Sequence, residues 1–187
     1  ADVVVINHYL LLADMTLKDE GVGELLPDAD AVIVDEAHQL PEVAAMFFDA
    51  AVSTRQLFGL IRDTQAEQLQ DAPDMPELRD RAKALEQRVL DLRLSLGEAN
   101  QRASWSTVSE KTEVLAARAA LAKALEGLHQ GLKIAAERGK GLAACLRRSE
   151  EMAIRLAQLG EPIEGVVDWF ETSKRGFVLH RTPLDVA

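Results

Sequence analysis

Two runs of apolar residues with a strict four-three spacing constrain the fold of this chain more than any other feature. The first run comprises Leu78, Ala82, Leu85, Val89, Leu92 and Leu96. The second run comprises Leu121, Leu125, Leu128, Leu132 and Ala135. Residues at this spacing form one narrow stripe along an α-helix, and that stripe has to be buried against another helix. The sequence therefore predicts long helices that pack side by side.

Boundary signals extend the helical prediction over residues 46–160. Ser53 and Gln56 match a capping box, in which each side chain binds the backbone N–H of the other residue. Breaks at 72–76 and 139–141, which hold prolines or glycines, divide the region into antiparallel helices, with Gly97 as a further stop. The inner faces of the first and last of these helices are predicted to carry Leu57, Leu60, Ile61, Leu142, Cys145, Met152, Leu156 and Leu159.

Both ends of the chain carry patterns that are typical of β-structure. Val3–Ile6 and Ala31–Val34 are continuous apolar runs, as in buried parallel strands, with a short helix predicted between them. Two strand-like runs flank a turn at 172–176 and predict a C-terminal hairpin. The predicted fold is mainly α. A bundle of long antiparallel helices at 46–163 is inserted into a partial α/β domain, to which 1–45 and the hairpin segment 164–187 belong.

Two carboxylates, Asp35 and Glu36, follow directly on the second apolar run. Acids at the carboxyl end of a parallel strand point into the crevice where α/β sheets bind ligands. In a phosphoryl-transfer site Asp35 would hold Mg²⁺ through water, Glu36 would polarise the attacking water, and His38 would sense the γ-phosphate. An ordinary acidic turn is the alternative, which the apolar run before the acids and Ala37-His38 after them disfavour.

The charge pattern limits how the chain would contact DNA. A net charge of −10 argues against DNA binding by the whole surface, since duplex affinity comes largely from Lys and Arg. A local basic cluster is the candidate contact, and it comprises Lys133, Arg138, Lys140, Arg147 and Arg148. A solvated helix face is the alternative reading of that cluster. Trp105, in a predicted loop, would stack on bases or pack in the core.

Cysteine and histidine content argues against other site classes. His8, His129, His180 and Cys145 are too scattered for a sequence-evident zinc site. The single cysteine excludes an internal disulfide and fits a reducing cytoplasm. Trp169, Phe170 and Phe177 are predicted to pack in the hairpin core. No apolar run reaches the roughly 20 residues that a membrane-spanning helix needs.

Residues 32–41, VIVDEAHQLP, resemble the DEAH box of superfamily 2 helicases. Residues 1–14 resemble the segment that precedes this box in XPD-like helicases. Residues 23–30 and 176–187 are similar to the bacterial DinG/YoaA branch of that family. The resemblance follows the chain in order, through a motor strand, the DEAH box, a helical arch and a return to the motor domain.

This resemblance implies a fold and an activity. It implies that 1–45 is part of a RecA-like motor domain, 46–163 an arch that guides single-stranded DNA, and 164–187 the return hairpin. The family are ATP-dependent 5′-to-3′ DNA helicases of DNA repair and damage tolerance that carry a 4Fe–4S cluster. Asp35 would be the Mg²⁺-binding acid, Glu36 the catalytic acid and His38 the coupling residue.

The resemblance also implies that the chain is a fragment. The sequence holds no phosphate-binding loop and no cysteine quartet. The cluster is therefore expected upstream, and the fragment alone is predicted to be inactive. Expected partners are single-stranded or forked DNA and a replication or repair protein. The rival hypothesis is a non-enzymatic helical module whose four-three seams bind a partner helix.

Overall fold

The computed structural model describes residues 3–19, 25–27, 29, 31–39 and 51–183. The chain divides into two compact units. One comprises residues 1–49 with 182–187, and the other comprises residues 50–181. None of the helices in the described ranges is long and apolar enough to cross a membrane.

Among the described residues of the first unit, the main element is helix α1, His8–Asp19. Asn7 caps it, because its Oδ1 accepts a hydrogen bond from the backbone N–H of Leu10 at 2.8 Å. Asp14, which is buried, accepts hydrogen bonds from the backbone N–H groups of Leu25 and Leu26 at 2.6 and 2.8 Å. These bonds fix the segment that follows α1 against the helix. A short 3-10 helix, Ala37–Gln39, comes after the acidic pair.

The two buried strands predicted in this unit are wrong for the described residues. Neither 3–6 nor 31–34 is a strand, and the side chains of Val5 and Ile33 are 93% and 95% exposed. The described sheet contains no strand that pairs with either segment. A parallel strand exists only through hydrogen bonds to its neighbours and is covered by helices on both faces. An apolar run by itself provides neither the neighbouring strands nor the covering helices.

The second unit is built on four helices, α2 Thr54–Asp71, α3 Pro76–Ser95, α4 Thr112–Ala135 and α5 Lys140–Gln158. Each helix packs against the next, and α5 packs against α2, which closes the bundle. Cross-helix contacts show that neighbours run in opposite directions. On α3 and α4, Arg81 donates to the carbonyl of Gly127, and Leu78, about one turn earlier, lies against Gly131, about one turn later. The predicted antiparallel bundle is confirmed.

The core of this bundle consists of the predicted seams. All eleven residues of the two four-three runs are at most 2% exposed. The residues predicted to face inward on α2 and α5 are buried as well. Burial of each large aliphatic side chain stabilises the fold by about 2 kcal/mol. The predicted helix boundaries are confirmed at two places. Ser53 and Gln56 form the capping box at the start of α2, and Gly97, with a φ of 89°, follows the end of α3.

A four-stranded antiparallel sheet covers part of the bundle. Its strands are β1 Val52–Ser53, β2 Arg102–Ser104, β3 Val166–Thr172 and β4 Phe177–Pro183, in the order β1-β4-β3-β2. The predicted hairpin is therefore confirmed as β3 and β4. The structure adds that each of its strands pairs with a short strand from the helical region. Phe170 and Phe177 join the core, as predicted, whereas Trp169, predicted with them, is only partly buried.

Candidate functional site

The three predicted catalytic residues lie together on one exposed turn. Glu36 has a φ of 50°, in the left-handed region that side chains rarely adopt. This conformation and the 3-10 helix after it bring the carboxylate of Glu36 within 3.2 Å of the His38 imidazole, measured from Oε2 to Nδ1. Asp35 is exposed beside them. Local backbone geometry thus collects an acid, a second acid and a histidine at one place.

The peptide group between Asp35 and Glu36 is held at both of its polar ends. Its N–H, from Glu36, donates to Oδ1 of Asp35 at 2.9 Å. Its carbonyl oxygen, from Asp35, lies 2.9 Å from Nε2 of His8 at the start of α1. The contact of His8 with this turn could not be predicted from the sequence, because it spans 27 residues. The only sequence signal was a histidine at a helix start.

The residues at this turn fit Mg²⁺ in one specific way. Mg²⁺ at nucleotide sites is bound by one or two carboxylates together with phosphate oxygens and water. One oxygen of Asp35 accepts the backbone N–H of Glu36, which leaves the other oxygen of this exposed carboxylate for an ion or its water. Among the residues described, no group of three or more His, Cys, Asp or Glu side chains is arranged to hold a metal. Asp35 thus offers one carboxylate oxygen, which matches a Mg²⁺ ion whose other ligands are phosphate oxygens and water.

Two of the five cations in the predicted DNA-binding cluster are engaged in ion pairs between segments. Arg148 donates to Asp63 at 2.7 Å, and this hydrogen bond lowers the pKa of Asp63 below its ordinary value. Arg138 donates to Asp74 and likewise lowers the pKa of that carboxyl. Each of these guanidinium groups already binds a carboxylate, which weakens its attraction for a phosphate.

The other three cations of the cluster, Lys133, Lys140 and Arg147, are exposed. Lys133 lines a shallow pocket together with Glu126 and Glu150. The acidic neighbours reduce the positive potential there. The geometry thus gives the cluster less positive character than its sequence suggests.

Trp105 is a core residue and not a base-stacking platform, which corrects the prediction of DNA contact. It begins a 3-10 helix, Trp105–Thr107, and is 3% exposed. Its ring meets Phe170 edge-on, with centroids 6.3 Å apart and planes at 87°. The short helix turns the indole inward against β3, so no ring face is left for a base. The loop-like composition around it concealed this turn.

The remaining histidines and the cysteine have separate local roles. His129 pairs with Ser149 in the bundle, with 2.9 Å between Nδ1 and Oγ. Cys145 is buried, and burial raises the pKa of its thiol. His180 stacks on Trp169 with 3.7 Å between ring centroids, and Arg102 lies 4.1 Å from the same indole. These contacts join neighbouring helices or strands, as structural residues do.

A groove that the sequence did not reveal has a volume of about 690 Å³ and lies where α2, α3 and α5 meet. Three arginines, Arg55, Arg62 and Arg148, contribute to its wall together with Asp63 and Glu86. Asp63 accepts hydrogen bonds from both Arg62 and Arg148. The groove therefore carries mixed charge, with two of its guanidinium groups already bound.

No family model matches the chain. Over its whole length the chain is 39% identical to the ATP-dependent DNA helicase YoaA of Haemophilus influenzae and 38% identical to YoaA of Escherichia coli. The resemblance to the DinG/YoaA branch is confirmed. The chain is also 47% identical, over 57 residues, to the ATP-dependent DNA helicase DinG of Photobacterium profundum. The chain spans 30% of the length of each of the two YoaA proteins.

Proposed function

We propose that this chain is the DEAH-box and helical segment of an ATP-dependent DNA helicase. The whole-length similarity to two proteins named ATP-dependent DNA helicase YoaA carries the proposal. The matched region includes Asp35, Glu36 and His38, which the structure collects on one turn. The sequence similarity and the grouping of two acids with a histidine on one turn support ATP hydrolysis together. The DEAH motif alone would support it less specifically.

The roles proposed for the three residues come from the resemblance to the DEAH box, and the geometry of the turn is compatible with them. Asp35 would use its second carboxylate oxygen toward the Mg²⁺ that accompanies ATP, and this ion would neutralise charge on the phosphates. Glu36 would accept a hydrogen bond from the attacking water and polarise it. To do so, its carboxylate would exchange the present 3.2 Å contact with His38 for the water. His38, once released, would report the state of the phosphates to the DNA-binding side.

The finer parts of the proposal concern the intact protein. Residues 1–45 and 164–187 would belong to a RecA-like motor domain and 46–163 to an arch that guides single-stranded or forked DNA. The 4Fe–4S cluster would lie upstream, because this chain has one cysteine and it is buried in the bundle. We further propose 5′-to-3′ unwinding in DNA repair or damage tolerance, a cytoplasmic location and a replication or repair partner. The segment alone would neither hydrolyse ATP nor unwind DNA.

The rival hypothesis, a helical module that binds a partner helix through its seams, lacks support in the structure. Both four-three seams lie inside the bundle and are at most 2% exposed. A seam that is already buried against its own neighbours offers no face to another helix.

The test is the substitution Glu36→Gln in the intact protein. The amide keeps the shape of the side chain but removes the charge that polarises water, so ATP binding should persist while DNA-stimulated hydrolysis falls more than about 100-fold. Glu151→Gln is the matched control, since Glu151 is an exposed carboxylate on α5. Hydrolysis by Glu36→Gln at the rate of the control would refute the proposed function.

A further inference from the structure

We propose that His8 is a positioning residue for the acidic pair, and this inference rests on the proposed function. His8 Nε2 lies 2.9 Å from the carbonyl oxygen of Asp35. A carbonyl oxygen only accepts hydrogen bonds, so Nε2 carries the proton and donates it. The imidazole therefore binds the backbone of the acidic pair and leaves both carboxylates free of its own contact.

The bonded carbonyl belongs to the peptide group whose orientation relates the two acids. The Asp35 side chain comes before this peptide and the Glu36 side chain after it. The donor end of the peptide is bound by Asp35 itself, and the acceptor end is bound by His8. A rotation of the peptide would break both bonds and would turn the Glu36 carboxylate relative to Asp35. The two bonds together thus fix the mutual orientation of the proposed metal-binding and water-polarising groups.

The backbone conformation of Glu36 depends on contacts such as the two hydrogen bonds that hold this peptide group. Its φ of 50° is unfavourable for a residue with a side chain, so the conformation persists only when surrounding contacts hold it. The bond from His8 is one such contact, and it comes from 27 residues away in the chain. Without it, the peptide is expected to relax toward ordinary backbone angles.

The helix that carries His8 is itself fixed. Asn7 caps its first turn through Leu10, and the buried Asp14 binds the backbone of Leu25 and Leu26. His8 therefore projects from an anchored helix, which is what a positioning group requires. A control on the same helix is Met15→Ala, which shortens an exposed side chain and leaves both His8 and the anchoring contacts in place.

The experiment compares steady-state, DNA-stimulated ATP hydrolysis by four variants of the intact protein, His8→Ala, His8→Gln, Met15→Ala and Glu36→Gln. His8→Ala should lower kcat by about 10- to 100-fold, the usual effect of removing a group that orients active-site residues, with KM for ATP changed less than about threefold. His8→Gln, whose amide nitrogen can occupy the place of Nε2 as a donor, should recover most of kcat. Met15→Ala, at an exposed position of the same helix, should keep kcat within about threefold of the wild type.

The outcomes separate the inference from the function on which it rests. The inference is overturned if Glu36→Gln abolishes hydrolysis while His8→Ala retains the wild-type kcat. It is also overturned if His8→Gln is as slow as His8→Ala, or if Met15→Ala lowers kcat as far as His8→Ala does. If Glu36→Gln itself hydrolyses ATP normally, the proposed function fails, and the inference fails with it.

Discussion

Arg118 from the neighbouring helix α4 binds several carbonyl groups at the carboxyl end of α5. The last carbonyl groups of any helix lack partners within the helix. Arg118 is the hydrogen-bond donor for carbonyls at this helix end. Its Nη2 donates to the carbonyls of Leu156 at 2.9 Å, Ala157 at 3.2 Å and Leu159 at 2.6 Å. Burial lowers the pKa of Arg118, while the charges of Asp168 and Glu161 raise it. The guanidinium thus ties two helices together in a half-buried setting.

The substitution Arg118→Met should destabilise the chain by about 3 kcal/mol. The bonds to Leu156 and Leu159 reach carbonyls of buried residues, and each bond from a charged donor is worth about 1.5 kcal/mol at the lower end of its range. The lower end is appropriate because Arg118 is only half-buried. Methionine preserves most of the aliphatic stem, so the loss measures the hydrogen bonds and not the packing.

Urea unfolding of the chain, followed by circular dichroism, measures this difference. Lys123→Met is the matched control, because Lys123 is an exposed cation on the same helix and its loss should change stability by less than about 0.5 kcal/mol. A decrease of about 3 kcal/mol should also lower the melting temperature by roughly 6–12 °C for a chain of this size. If Arg118→Met unfolds within 0.5 kcal/mol of the control, with 0.5 kcal/mol being about the scatter of ordinary surface substitutions, the capping argument is wrong.

Two further predictions concern packing and charge in the same bundle. Leu125→Ala should cost about 2–5 kcal/mol in a urea titration because it opens a cavity at a fully buried position, whereas Leu115→Ala, at a half-exposed position of the same helix, should cost far less. The hydrogen bond from Arg148 lowers the pKa of Asp63 below 3.8, so the pair stabilises the fold above that pH and loses its effect as pH falls through the lower, folded-state pKa. The stability difference between wild type and Arg148→Met, at most about 1 kcal/mol for this exposed pair, should therefore shrink on acidification; a difference that grows would contradict the assignment.

The helical bundle was predictable because its signals are local. The spacing of Leu78 through Leu96 on one helix needs no knowledge of the partner, since any buried stripe at that period requires a facing helix. The capping box at Ser53 is equally local. The hairpin was predictable for the same reason, since its turn and flanking runs are adjacent in sequence.

What the sequence missed depends on contacts between distant residues. Residues 31–34 have the composition of a buried strand, but a strand is made by its neighbours. Trp105 is buried by Phe170, 65 positions later, which its loop-like surroundings did not indicate. Asp35 and Glu36 could be predicted as site residues because they are adjacent in the sequence. The contact of His8 with them could not, because it joins residues that are 27 positions apart.

The arrangement of the sheet has a consequence for how the second unit folds. Val52 pairs with Leu179, and β2 at 102–104 pairs with β3 at 169–171, so strands from the start and the middle of the unit pair with the hairpin at its end. The four helices can form and pair through contacts between sequence neighbours, which is fast. The sheet closes only when residues near 180 have been synthesised. We therefore expect the bundle to form before its sheet, and a nascent chain that ends before β3 would leave β1 and β2 without their partners.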